Sequence, residues 1–340
     1  MTCNVVNIAH PSDEGKIIPT RGLRQGDPIS PYLLLLCAEG LTAMLRKEEC
    51  EGMISGVSVC RGAPRISHLF ADDCIIFGKA CIEESNRVLK VLADYEKESG
   101  QKLNKEKTSL FFIRNTSKEI REEIKGRFGS QIIQKQERYL GLPTLVWKGK
   151  KKAFSRIKDQ VGRRIVGWKG NLLSNAGCEI LIKAMAQATS TYTMSCFRLP
   201  DSLCHELNSL VCQFWWGQKE KERKMAWISW EKLCRPKLEG GMGFKDFKAF
   251  NLALLAKQGW RLSKNSDSLT HRVFKAKYFA GSSFLEAQVG KKPSYVWRSI
   301  MAAKETVEKG SRWCVGNGRT VEIWRDRWIP TLNNFKVITP

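Results

Sequence analysis

The stretch that most restricts the fold of this chain is Arg65 to Gly78, RISHLFADDCIIFG. Two adjacent carboxylates, Asp72 and Asp73, lie between apolar residues on both sides. Buried unpaired charge is costly, and two like charges side by side are worse. The apolar runs read as two short strands joined at the acidic pair. A tight hairpin of this kind can lift both carboxylates out of the ladder so that they face one point. Two carboxylates at one point need a cation, and oxygen-only ligands favour Mg²⁺ or Mn²⁺. The ordinary alternative is a solvent-exposed Asp-Asp turn, because Asp is common in turns.

Around this hairpin the apolar pattern changes period. A helix begins at Ser30-Pro31, with Ser30 as its N-cap, and runs to about residue 47 behind Leu33, Leu34, Leu36, Cys37, Leu41 and Leu45. A second spans about 83–98, with Val88, Val91, Leu92 and Tyr95 at i, i+3, i+4 and i+7, and Gly100 ends it. Ser109 to Ile113 reads as a strand. After about residue 150 three amphipathic helices follow in a row and read as a bundle. The first, about 152–166, carries Phe154, Ile157, Val161 and Ile165 on one stripe. The second is capped by Ser174 and runs to about Thr193. The third starts at Pro200-Asp201, is apolar at Leu203, Leu207, Leu210, Val211 and Phe214, and closes at Gly217. Beyond the turn-rich Gly240 to Gly243, Asp246 caps a helix of about 246–263, and another spans about 294–308. Asn317-Gly318, between the apolar runs Trp313 to Val315 and Val321 to Trp324, predicts a hairpin.

The charge of the chain is +23 and uneven. Residues 1–100 hold 11 Lys/Arg against 14 Asp/Glu, residues 101–170 hold 19 against 6, and residues 171–340 hold 27 against 14. A basic remainder behind a slightly acidic beginning points to a polyanion partner, most simply nucleic acid. The twelve cysteines include no C-x-x-C pair, and the four histidines complete no zinc array with them. No apolar run reaches the length of a membrane span, and no secretory signal is visible. An intracellular protein that does not enter a membrane is expected.

A second element gives the acidic hairpin a context. Thr20 to Pro31, TRGLRQGDPISP, packs two Arg, two Gly and one Gln into a loop opening onto a helix. Such a loop lets backbone approach a nucleotide closely, with Arg21 and Arg24 on phosphates. TRGLRQGDPISPYLLLL resembles the B segment of reverse transcriptases, and FADD resembles their C segment. The wording is similar to the non-LTR, LINE-type retrotransposon polymerases of plants. SGQKLNKEKT, from Ser99 to Thr108, is similar to the D segment, and Tyr139 to Pro143, YLGLP, to the E segment or primer grip. The three helices match the expected thumb. Trp313 to Ile329 resembles a Trp-rich region named as zinc-binding in relatives, although no Cys/His ligand set is visible here.

The resemblance implies an α+β fold: a partial palm over 1–147, an antiparallel sheet with packed helices; a helical thumb over 148–218; and a small α/β C-terminal region, Trp-rich, over 219–340. It implies an RNA-directed DNA polymerase that works by two-metal nucleotidyl transfer on an RNA template, a DNA primer and a deoxynucleoside triphosphate. Asp72 would be a ligand of both metal ions, with Asp73 assisting. Gln25 and Gly26 would line the pocket for the incoming nucleotide and the template base. Arg21 and Arg24 would touch template phosphates or hold their loop. Lys107, or Lys105, would stabilise the leaving pyrophosphate or be a plain surface lysine, while Asn104 fixes the local turn. Tyr139, Leu140 and Gly141 would support the primer, and Lys148, Lys150, Lys151 and Lys152 would follow the duplex by phosphate contacts. The family implies a nuclear location, with an organelle left open.

Two-metal transfer needs a third carboxylate, which the family carries in an F-D-x-x-x-A-[FY]-D segment upstream of the B loop. Residues 1–20 hold only Asp13 and Glu14, in a Pro-Ser-Asp-Glu turn. The expectation is a 5′-truncated element, without fingers, endonuclease or RNase H regions, that does not polymerise alone and holds its metal weakly. Its rival is a basic nucleic-acid-binding protein without catalysis. A third reading is a helical scaffold with a protein-binding Trp-rich end, although core packing is the commoner use of Trp. The maturase-like enzymes of group II introns share R-Q-G and [YF]-A-D-D, but the wording of the B segment and the Trp-rich end favour the plant LINE type.

Overall fold

The computed structural model describes residues 27–70, 74–104, 108–113, 115–129, 131–132, 138–139, 142–143, 150–168, 173–217, 225–319, 321–324 and 327–329, with side chains described outside 131–153. The chain divides into two compact units, residues 1–144 and 145–340.

In the first unit, α1 (Ser30–Cys50) leads into the antiparallel pair β1 (Val57–Ser58) and β2 (Arg65–Ile66), then the hairpin β3 (His68–Phe70) and β4 (Cys74–Ile76), then α2 (Ile82–Ser99). Further on, β5 (Ser109–Leu110) is joined through α3 (Lys118–Phe128) to β6 (Gln131–Ile132), and β7 (Arg138–Tyr139) pairs with β8 (Leu142–Pro143). The helix at 30 starts with Pro31 in its first turn, but its N-cap is Ile29 and not Ser30. Asp27 prepares that start: its Oδ1 accepts from Ile29 N–H at 3.0 Å. The α2 stripe is as the spacing predicts: Val88, Val91, Leu92 and Tyr95 are all buried, against Leu41 and Leu45 of α1 and Ile124 and Phe128 of α3. Gly100 closes α2 at φ 70°, a left-handed conformation that a side chain would strain.

The sheet differs from the expected antiparallel one. The described strands form four separate two-stranded ladders, and β5 with β6 is parallel. The parallel pair follows from α3, because parallel neighbours need a crossover and α3 supplies it. The strand expected to reach Ile113 stops at Leu110; Phe111 and Ile113 are exposed.

In the second unit, α4 (Lys150–Gly167) packs on α7 (Asp201–Trp215), with Phe154, Ile157 and Val161 buried and Lys158 Nζ 2.7 Å from Glu206 Oε2. The helix expected from Ser174 to Thr193 is not continuous. Ser174 does cap it, accepting from Gly177 N–H at 3.2 Å. It then runs as α5 (Asn175–Leu181), loosens into a π-helical turn (Ile182–Ala186), breaks, and resumes as α6 (Thr191–Cys196). Side chains around the break compete with the helix ladder: Thr189 Oγ1 donates to Met185 O, and the buried Gln187 turns its Nε2 to Lys245 O at 3.0 Å.

After α8 (Trp230–Leu233), α9 (Phe247–Lys264) forms the centre of the unit; α6, α7, α10 (Leu269–Tyr278), α11 (Tyr295–Ala302) and α12 (Lys304–Gly310) all pack on it. Asp246 caps α9, accepting from Ala249 N–H at 2.8 Å. The helix expected at 294–308 is two, α11 and α12, divided at the buried Ala303, which seats against Leu255 and Ala256. Gly259 sits so close to its neighbours that a Cβ there would fall 2.8 Å from the Phe284 ring. Trp297, fully buried, stacks on Tyr278 with ring centres 4.7 Å apart. The hairpin predicted at 313–324 is not formed; the described residues there are turn and irregular backbone. The region 219–340, expected as α/β, therefore holds helices and no strand among its described residues. Trp313, Val315, Ile323 and Trp324 are all exposed, and a two-stranded ribbon with no surface to pack on is marginal in water.

Asn251 of α9 saturates the chain that leaves α6. Its Oδ1 accepts from Leu199 N–H at 2.8 Å, and its Nδ2 donates to Met194 O and Phe197 O at 2.8 and 2.9 Å. Asn251→Leu strands all three groups and is expected to cost about 3 kcal/mol. All eleven tryptophans lie in 145–340, so a urea titration followed by Trp fluorescence reads this unit alone; the unfolding midpoint should drop.

Candidate functional site

In sequence the acidic pair falls between β3 and β4, whose register is His68↔Ile76, Leu69↔Ile75 and Phe70↔Cys74. The flanks of Asp72-Asp73 are therefore paired antiparallel strands, as the apolar runs predict. Phe70, Cys74 and Ile76 share one face by this register and pack against the α1–α2 core. The hairpin base is closed by Phe77 N–H donating to Ser67 O at 2.7 Å.

A polar seat under the hairpin was not legible in the sequence. Ser67, almost fully buried, donates from Oγ to Glu49 Oε2 of α1 at 2.6 Å and lies 3.0 Å from His68 Nδ1. Beside it the buried Glu84 of α2 accepts from both Ser55 N–H and Ser55 Oγ at 2.8 Å. These two carboxylates anchor the segments before and within the hairpin to the two helices beneath it. Glu49 and Glu84 are ordinary helix residues in the sequence; only the paired serines across 18 and 29 positions give them this role. Burial, then the Arg46 guanidinium, lowers the His68 pKa, partly opposed by Glu49 and Glu39, which favours neutral imidazole at pH 7. Burial pushes the Cys74 thiol up to about 11.

The downstream D-segment residues fold back on the end of α2. Tyr95 OH donates to Gln101 Oε1 at 2.8 Å, Leu103 N–H donates to Glu96 Oε1, and Asn104 O accepts from Thr108 Oγ1 at 2.7 Å.

The named site residues lie largely beyond these observations. Arg21, Arg24, Gln25, Gly26, Asp72, Asp73, Lys105, Lys107, Leu140, Gly141 and Lys148 are outside the described residues. Tyr139 is in β7, opposite Leu142, and Lys150, Lys151 and Lys152 form the first turn of α4; their side chains are also outside the description. Among the described residues no three His, Cys, Asp or Glu side chains converge as a metal site. The donor chemistry of the hairpin still fits a hard divalent ion: Asp72 and Asp73 offer oxygen, and the neighbouring thiol of Cys74 packs into the core.

Comparison with known proteins gives the hairpin its family. Residues 3–144 match the family described as reverse transcriptase (RNA-dependent DNA polymerase). A mitochondrial protein of Arabidopsis thaliana is 44% identical over 143 residues, covering 42% of this chain and 93% of that protein. The chain belongs to the reverse transcriptase family. An Arabidopsis thaliana protein named for ribonuclease H is 35% identical over 191 residues, 55% of this chain and 31% of its own length. A second mitochondrial protein of that plant is 48% identical over 67 residues, 19% of this chain and 55% of its own. With these relatives the chain belongs to the plant retroelement kind of that family. Reverse transcriptases act on nucleic acid and nucleotides and generally use divalent metal ions. No described helix is long and apolar enough to cross a membrane.

The His68 environment has a consequence for acid stability. Because folding lowers its pKa, the unfolded chain takes the proton more readily, and stability falls as pH drops through the ordinary value of 6.5. The protection factors of the Leu69 and Phe77 amides, the intrinsic exchange rate at each pH divided by the observed one, should fall between pH ~7 and pH ~5. His68→Gln should flatten that dependence.

Proposed function

We propose that this reverse transcriptase engages an RNA template and a DNA primer through residues 1–147, and that Asp72 and Asp73 hold the divalent ions, Mg²⁺ or Mn²⁺. The observation that carries the reading is the antiparallel hairpin around the acidic pair, inside the segment that matches the family. When bound, such ions would stabilise the charge that develops as a phosphoryl group passes to the primer 3′ oxygen. Gln25 and Gly26 then border the incoming nucleotide and the template base, Arg21 and Arg24 meet template phosphates, and Lys107 meets the pyrophosphate. Tyr139, Leu140 and Gly141 support the primer end. Lys148, Lys150, Lys151 and Lys152 follow the duplex backbone from the start of a helical thumb, residues 148–218, ahead of the Trp-rich region 219–340.

Residues 1–340 hold no F-D-x-x-x-A-[FY]-D segment to join Asp72 and Asp73. Expressed by itself, the polypeptide is therefore expected to bind template–primer without extending it. Because a retroelement copies itself into DNA, the nucleus is the compartment proposed, and two relatives with mitochondrial names make that organelle the control in a fractionation.

A primer-extension assay on an RNA template with Mg²⁺, repeated with Mn²⁺, tests the reading. The expected result is retention of template–primer in a filter-binding control and no extended product. Extension that vanishes in Asp72→Ala would show that the chain completes its metal site and would overturn the inactivity. Loss of template–primer binding would overturn the engagement itself.

A further inference from the structure

The centre of the second unit carries a surface that the polymerase reading does not use. Helix α9 buries Phe247, Asn251, Leu255, Ala256, Gly259 and Leu262. Its exposed side carries Lys257, Trp260, Arg261 and Lys264, spaced i, i+3, i+4 and i+7, one stripe of the helix. Helix α10 follows after a short turn and exposes Arg272 and Lys275 one turn apart. His271 holds the two helices together, its Nδ1 2.6 Å from Leu262 O, with the ring buried edge-on to Phe279.

Among the described residues these cations have no anionic partner. From Phe247 to Phe284 there are seven Lys/Arg and one acidic residue, Asp267. Lys248 is paired with Asp201 at 2.9 Å. Among the described residues Lys257, Arg261, Lys264, Arg272 and Lys275 pair with no carboxylate, and Lys264 rests 5.0 Å from the Trp260 ring centre. Helix α3 shows the contrast: Lys125 and Arg127 are each bridged to a glutamate a turn earlier. Lys257 and Arg261, four apart, repel each other along α9. A cation in a helix's last turn answers the helix dipole, which accounts for Arg261, Lys264 and Lys275. It leaves Lys257, Arg272 and the 43% exposed indole of Trp260 without a reason inside the fold.

We propose that the exposed faces of α9 and α10 bind single-stranded nucleic acid, independently of metal. The five cations meet successive phosphates, and Trp260 offers its ring to a base. A positive track with one aromatic platform is the arrangement that holds single strands without reading their sequence. An acidic protein would use the charge and leave the indole idle.

The test uses the full chain and a fluorescein-labelled single strand of about 20 nucleotides, followed by anisotropy in EDTA between roughly 50 and 200 mM salt. EDTA takes Asp72 and Asp73 out of the measurement, so a failed extension assay and a failed strand-binding assay remain distinguishable. The wild type should lose affinity linearly in log salt. Lys257→Gln, Arg261→Gln and Lys264→Gln together should make that slope shallower by about 2, since each phosphate contact on a single strand contributes about 0.7. Trp260→Ala should weaken binding on the order of tenfold at unchanged slope. Arg272→Gln with Lys275→Gln, on the neighbouring helix, gives the same reading if the triple variant does not fold. Wild-type slope in whichever variant folds overturns the proposal. Undiminished affinity in Trp260→Ala, or equal competition by polyglutamate, overturns the single-strand assignment.

Discussion

The second unit depends on one buried amide. Asn251 stands on the central helix α9 and satisfies the backbone where the chain leaves α6, closing three hydrogen bonds that no regular element supplies there. Around it a series of polar ties runs the same way. Asn208 of α7 donates to the capping carboxylate of Asp246 at 2.6 Å and accepts from Phe247 N–H at 3.2 Å; Gln187 reaches Lys245 O, and Lys183 reaches Met242 O at 2.6 Å. Each tie joins the broken helical stretch of 174–196, or the α7 helix, to the entry of α9. A helix can break inside a core only if its freed backbone groups find partners, and these side chains are those partners or lock them in place. The hairpin in the first unit rests on the same device, with Glu49 on Ser67 and Glu84 on Ser55.

This explains what could be read from the sequence and what could not. The α2 stripe, the α4 stripe, the Asp246 cap and the acidic hairpin were legible because each follows from local spacing. Periodicity, caps and alternation are written within a few residues. The break at 187–190 and the division at Ala303 were not legible, since both answer contacts with α9 and its surroundings far along the chain. Three helices go unread although their signals are present: Ser117, Ser229 and Ser268 cap α3, α8 and α10, and Gly129 ends α3 at φ 60°. The C-terminal ribbon failed for the opposite reason. Its turn signal was good, but a turn cannot hold two strands without a surface to bury them on.

The candidate site divides in the same manner. The pairing on either side of Asp72 and Asp73 followed from two short apolar runs, and the family followed from segments with specific wording. The support under the hairpin is a tertiary fact, visible only once α1 and α2 lie beneath it. The basic stripe on α9 is intermediate: its cations are plain in the composition, but that no described carboxylate pairs with them is visible only in the structure. The two units thus divide the work in this account, metal chemistry by the first and a grip on single strands by the second.

The central claim is that the two carboxylates of the hairpin hold a divalent ion. Paramagnetic broadening by Mn²⁺ in an amide correlation spectrum of the whole chain reads this directly. The account predicts selective broadening of hairpin amides from His68 to Phe77, abolished in the Asp72→Asn, Asp73→Asn double variant. Broadening centred elsewhere, or unchanged in that variant, would contradict it.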